Sequence, residues 1–211
     1  MNKYLYKQKD LDLQGVLSSS ERYFRMYHKF NTEPDLDTLF NLLNAMHSLN
    51  DILNNRLSEN FFQDDEFISL KAIRNLFHHQ NNVINELKII PKDLIPQITT
   101  DLIYLCLIPS HLVEESYERI QNRFRDAHIT IIKRTFKWYG NVVNINPAIF
   151  NFSVKVYEKL KSLNIILTSE EYLEFAASYQ YEIENNFSNF ITGDIYFHTK
   201  NAERVLNDIF E

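Results

Sequence analysis

Glycine occupies only three of the 211 positions in this chain. Positive φ is cheap at glycine and costly elsewhere, and tight two-residue hairpins depend on it. So few permissive positions argue against a hairpin-rich β architecture and for helices. Apolar residues at 45% and aromatics at 14% are enough for a full hydrophobic core at this length without disulfides. The single cysteine, Cys106, lies in the apolar run L-I-Y-L-C-L-I and reads as a small core hydrophobe rather than a nucleophile or redox centre.

Helical periodicity dominates the middle of the chain. From Leu36 to Leu57 apolar residues fall at Leu36, Leu39, Phe40, Leu43, Met46, Leu49, Leu53 and Leu57, one broad arc of an amphipathic helix, with Pro34 and Asp35 as start signals. A second helix is predicted from Glu66 to about Lys88, entered through Asp64, Asp65 and Glu66 and closed near Pro91. Ile98 to Leu107 reads as a buried helix, and His111 to Tyr139 as a long one broken by Gly140 and Asn141. The stretch V-V-N-I-N-P-A-I-F is open between a short extended segment and a loop, with Pro147 opening a helix to Leu163. Further helices are expected over Ser169–Asn186, where Ser169 caps, and Asn201–Phe210; the aromatics Tyr23, Phe24, Tyr27 and Phe30 belong to a first helix. No Pro/Gly/Ser-rich linker interrupts the chain, so the expectation is one all-α domain over residues 1–211, with a core at about 20–140 and a helical extension at about 141–211.

The net charge of −6 is unevenly distributed. Between Arg119 and Lys137 stand six basic residues against the single acid Asp126, whereas Thr168–Asn186 carries five glutamates and no lysine or arginine. Arg119, Arg123, Lys133 and Arg134 are the candidates for contact with phosphates, since a local basic strip can bind nucleic acid on an acidic protein; a solvated helix face is the plainer reading. Phe136, Trp138 and Tyr139 follow the strip and would serve either to stack on bases or to pack, packing being favoured.

Residues 73–80 read I-R-N-L-F-H-H-Q. At about 100° per residue, Ile73, Leu76 and Phe77 share one face, while Arg74, Asn75, His78 and His79 project away from it. Two imidazoles, a guanidinium and an amide, with no carboxylate close in sequence, are an uncommon set for a merely solvated face. Histidine exchanges protons near neutral pH, with an unperturbed pKa of about 6.5, and arginine offers a permanently charged planar fork that matches phosphate oxygens. On the preceding helix, His47 and Asp51 stand one turn apart, either as a local pair that satisfies a histidine or as a second contribution to the same site.

An arginine, a polar residue and then a histidine on an amphipathic helix is the pattern of the HEPN superfamily, and Arg74-Asn75 followed by His79 resembles it. The resemblance covers mainly residues 36–88. It implies an all-α helical bundle with additional C-terminal helices, and a metal-independent endoribonuclease acting as a homodimer whose motifs meet in one composite cleft. In that reading His79 transfers the proton, Arg74 anchors the phosphate, Asn75 orients either, and Asp51 supports them from the neighbouring helix. His78 shares a face with Arg74, and the choice between the two histidines stays open. The family also includes toxins held by an antitoxin and proteins that bind RNA or partners without cutting. The toxins commonly carry a tyrosine two residues beyond the histidine, where this chain has Asn81.

No other chemistry is indicated. His47, Asp51, His78 and His79 lack a metal-ligand spacing such as H-E-x-x-H, and adjacent helical histidines diverge by about 100°. Phosphate-loop, dinucleotide and hydrolase-elbow motifs are missing from the sequence. The expectation is therefore no metal and no cofactor, with RNA, a second copy of the chain and an antitoxin or regulatory protein as partners. The longest apolar run, Leu102–Pro109, is far short of the ~20 residues of a membrane span, and the N-terminus M-N-K-Y-L-Y-K-Q-K-D has no apolar segment, so a cytoplasmic protein without membrane contact is expected.

Overall fold

The computed structural model describes residues 2–79, 86–95, 98–197 and 202–210, without the side chains of residues 2–11, 79 and 197. In chain order the elements are α1 (Asn2–Thr32), α2 (Leu36–Leu57), α3 (Asp65–His79), β1 (Lys88–Pro91), β2 (Ile98–Thr99), β3 (Tyr104–Pro109) and α4 (Ser110–Glu115). They continue with α5 (Arg125–Thr135), β4 (Lys137–Tyr139), β5 (Val142–Asn144), α6 (Asn146–Ser162), α7 (Glu170–Glu184), β6 (Tyr196–Phe197) and α8 (Ala202–Asn207). The protein is mostly helical but not all-α: β1, β3, β5 and β4 form a four-stranded antiparallel sheet in that order, and β2 pairs with β6.

The chain divides into two compact units, the first of Met1–Phe62 with Ser153–Asn189, the second of Gln63–Phe152 with Phe190–Glu211. In the first, α1 packs along α2 and α7. Leu39, Leu43, Met46, Leu49 and Leu53 of α2, all on its predicted arc, are buried with Tyr23, Phe24 and Phe30 of α1. Asp35 starts α2 through a reciprocal capping box: the Thr38 amide donates to Asp35 Oδ1 at 2.7 Å, and the Asp35 amide donates to Thr38 Oγ1 at 3.0 Å. These bonds hold the Asp35 carboxyl below the ordinary aspartate range. Tyr23 is fully enclosed, its hydroxyl 2.7 Å from Ser153 Oγ. Ser169 flanks α7 at its start, but its side chain makes no capping bond, and its buried hydroxyl has no partner among the described residues.

The second unit is built on β3. The run Y-L-C-L-I-P is buried at every position, Cys106 included, flanked by β1 and β5. The predicted helix over Ile98–Leu107 is therefore corrected to β2, a bend and β3. An uninterrupted apolar run has no period, so a strand covered on both faces looks like a buried helix. Asn144 completes the pairing: its Oδ1 accepts from the amides of Cys106 and Asn146, both at 3.1 Å, and Asn146 Nδ2 donates to the Tyr104 carbonyl at 2.8 Å.

Two further expectations are corrected. The helix predicted to about Lys88 is described as far as His79, and Lys88–Pro91 is strand β1, paired with Leu105 and Leu107 of β3. The single helix predicted over His111–Tyr139 is α4, two 3-10 turns at Ser116–Arg119 and Asn122–Phe124, α5 and strand β4. It breaks at Ile120, which is extended (φ −78°, ψ 133°), because the span E-R-I-Q-N-R carries too few apolar residues to sustain a buried helical stripe. Gly140 and Asn141, expected to end a helix, instead join β4 to β5 as a two-residue hairpin. Gly140 takes φ +63°, so the scarce glycine serves the hairpin it seemed to argue against. V-V-N-I-N-P-A-I-F resolves into β5 and the first turns of α6, and the terminal helix of the sequence reading is α8.

Residues 190–195 are tied to this unit by Asp101, which accepts from the Thr192 amide at 2.9 Å and the Gly193 amide at 3.1 Å, and by the Lys137–Asp194 ion pair at 2.8 Å. Gly193 has φ +66°, and a Cβ there would lie 2.0 Å from Pro147 Cγ, whereas a Cβ on Gly15, within α1, would meet nothing within 4 Å. Gly193→Ala should therefore lower unfolding stability by about 2–4 kcal/mol, from left-handed strain plus the clash. Gly15→Ala should raise it by about 1 kcal/mol through helix propensity. Urea unfolding of both variants beside the wild type measures this pair of opposite signs.

Candidate functional site

Helix α3 carries the motif. Asp64 accepts a hydrogen bond from the Phe67 amide at 2.9 Å, and Asp65 and Glu66 occupy the positive end of the helix dipole. Ile73, Leu76 and Phe77 are buried, Arg74 and Asn75 are half-buried, and His78 is exposed, the division expected from the helical period. Arg74 Nη1 donates to Asn75 Oδ1 at 3.3 Å, so the guanidinium and the amide of the motif are in direct contact. His79 is the last described residue of α3; its side chain, like Asn81 as a whole, lies outside the described residues.

Asp51 belongs to α2, in the first compact unit, and its carboxylate stands 3.1 Å from His47 Nδ1 one helical turn away, the local pair that the sequence spacing allowed.

The basic strip meets α3 within the second unit. Helix α3 packs against α5 and against the 3-10 turn Ser116–Arg119. Arg134 grips Asp65 with both Nε (3.0 Å) and Nη2 (2.6 Å), while Lys71 acts electrostatically on His128. Asp65 with Arg134 and Lys71 with His128 run in opposite directions along the two helices, so α3 and α5 are antiparallel. The strip thus splits: Arg134 is occupied as a helix clasp, and Arg119 and Arg123 stand exposed. Lys133 is exposed next to the clasp.

Phe124, just before α5, was not singled out by the sequence reading. It is 42% exposed, its ring stacks on His128 at 5.4 Å with a 6° interplanar angle, and the Arg123 guanidinium lies 4.4 Å from the ring centroid. The signal was present as an aromatic between two arginines with a histidine four residues on. Its lack of a core periodicity hid it. Behind it, Arg125 Nη2 donates to the Glu118 carbonyl at 3.2 Å, and burial pushes the Tyr117 phenol up to about 12. Of the aromatics that were singled out, Phe136 is buried, and Trp138 and Tyr139 are half-buried in β4, Tyr139 donating to the Gly193 carbonyl at 3.5 Å.

Burial, and then the nearby Lys71 charge, hold His128 below the ordinary histidine range. Among the described residues no three His, Cys, Asp or Glu side chains gather in one place, and no helix is long and apolar enough to cross a membrane.

Two measurements follow from this geometry. Because the folded state depresses the His128 pKa, the unfolded state binds more protons just below about pH 6.5. His128 thus contributes stability that is complete above that pH and is lost as pH falls through its folded value, so His128→Gln should shallow the fall in melting temperature between about pH 7 and 5. The exposed Asp65–Arg134 clasp should give a coupling of about 0.5–1 kcal/mol in a double-mutant cycle with Asp65→Asn and Arg134→Gln. Zero coupling would remove its role in setting the helix register.

No family model matches the chain, and the curated proteins and the solved structures likewise yield no match.

Proposed function

We propose that this protein is a metal-independent endoribonuclease of the HEPN type, working as a homodimer in toxin, stress or antiphage defence. The observation that carries the reading is the contact between Arg74 and Asn75 on the outward side of α3, with His78 exposed one turn on and His79 next in the helix.

RNA brings its own nucleophile, so a site of this composition needs only proton transfer and charge stabilisation. A histidine takes the proton of the 2'-hydroxyl as that oxygen attacks the adjacent phosphorus, and the P–O5' bond breaks. The products are a 2',3'-cyclic phosphate and a 5'-hydroxyl, the leaving oxygen collecting a proton from a second histidine or from water. Arg74 stabilises the charge that builds on the phosphorane oxygens, and its bond to the Asn75 amide fixes the direction of the fork. The family spacing gives the proton to His79. His78, on the face of Arg74, is the second donor. Arg119 and Arg123 hold the flanking phosphates; Arg134 contributes less, because Asp65 occupies its fork.

The test is purified protein incubated with RNA in EDTA. The wild type should cleave, and Arg74→Ala or His79→Ala should reduce the rate by at least about a hundredfold. RNA left intact by excess wild-type protein would overturn the nuclease reading and leave a helical module that binds RNA or a protein partner. Light scattering on the same sample should give the mass of a dimer, and a strict monomer that cleaves would remove the composite cleft.

A further inference from the structure

We propose that Phe124, backed by His128 and flanked by Arg123, is a platform on which an unpaired RNA base stacks; its ligand rests on the ribonuclease reading. A phenyl ring with 42% of its surface in water is not a core residue, and nothing in the α5 helical stripe requires it. The ring is nonetheless held. The parallel imidazole at 5.4 Å supports one side, and the guanidinium lies 4.4 Å from the centroid. A side chain already fixed in place loses little freedom when a base lands on it.

Position is compatible with the assignment: the Asp65–Arg134 ion pair joins α5 to α3, the helix that bears Arg74 and His78, within one compact unit. The 3-10 turn that ends in Arg119 packs on α3 as well. Aromatic faces accept any base, while exposed arginines track the phosphates on either side of it. When RNA arrives, the Arg123 guanidinium turns from the ring to the neighbouring phosphate and uncovers the π-face for the base. Such a surface selects single strands, because bases in a duplex keep both faces stacked. Without directional hydrogen bonds to the base edges, it should show little sequence preference.

The probe is a short fluorescein-labelled 2'-O-methyl oligonucleotide of mixed sequence, which lacks the nucleophile and is not cut by wild-type protein. Anisotropy should give an affinity that Phe124→Ala and Phe124→Leu each weaken by about tenfold, while Phe124→Tyr stays within about twofold. The leucine variant keeps apolar bulk without a π-face, so it separates stacking from packing. A duplex of the same sequence should bind more weakly than the single strand. Equal affinity for the alanine and leucine variants and the wild type, or equal affinity for duplex and single strand, overturns the platform. Cleavage of ordinary RNA distinguishes the two readings. If cutting persists and Phe124 is indifferent, the platform falls and the nuclease stands; if the Phe124 dependence appears without any cutting, the nuclease falls and the platform stands. Protein that neither binds nor cuts overturns both.

Discussion

The second unit depends on the complete burial of β3. Six consecutive residues from Tyr104 to Pro109 are withdrawn from water on both faces, so every backbone polar group there must find a partner inside the protein. Strands β1 and β5 supply most of them, and the Asn144 side chain and the Ile145 amide supply more through Cys106. A side-chain amide in that position joins the strand to the start of α6, since Asn144 also accepts from Asn146. Removing it would leave buried donors unmet, at a cost of about 1–3 kcal/mol each.

From that strand the chain leaves through α4 and the 3-10 turns, and α5 leads back into β4 at the other edge of the sheet. Both α5 and the 3-10 turn at Ser116–Arg119 pack on α3. The packing of α5 and of the turn ending in Arg119 on the motif helix is thus a consequence of sheet topology. An ion pair as exposed as Asp65–Arg134 contributes little to stability, but it marks the helix register and removes one arginine from the set available to phosphates. The basic strip is therefore not uniform. One end closes the structure on itself, and the other faces outward.

Much of the helical frame was legible in the residues. The α2 arc, the Asp35 start signal and the inward trio Ile73, Leu76 and Phe77 lie where the period of 3.6 puts them, because half-buried helices write their burial into the sequence as a stripe. The region from residue 98 to 144 was not legible in the same way. The β3 run carries no alternation, and the 111–139 span mixes two short helices, two 3-10 turns and a strand whose individual signals are too short to read. Likewise, the one-turn spacing of His47 and Asp51 shows as a local pair.

By itself the sequence determined a mostly helical protein, the course of α2, and the side of α3 on which Arg74, Asn75 and His78 lie, because these follow from local periodicity and from charge that cannot be buried without a partner. Only the tertiary structure decided that the apolar run at 104–109 is a strand, that the Gly140 turn is a hairpin, and that Arg123 lies against Phe124 while Arg134 turns to Asp65. Strand pairing and helix register join residues far apart in the chain, and no local pattern specifies which distant partner a buried backbone or a surface arginine will find.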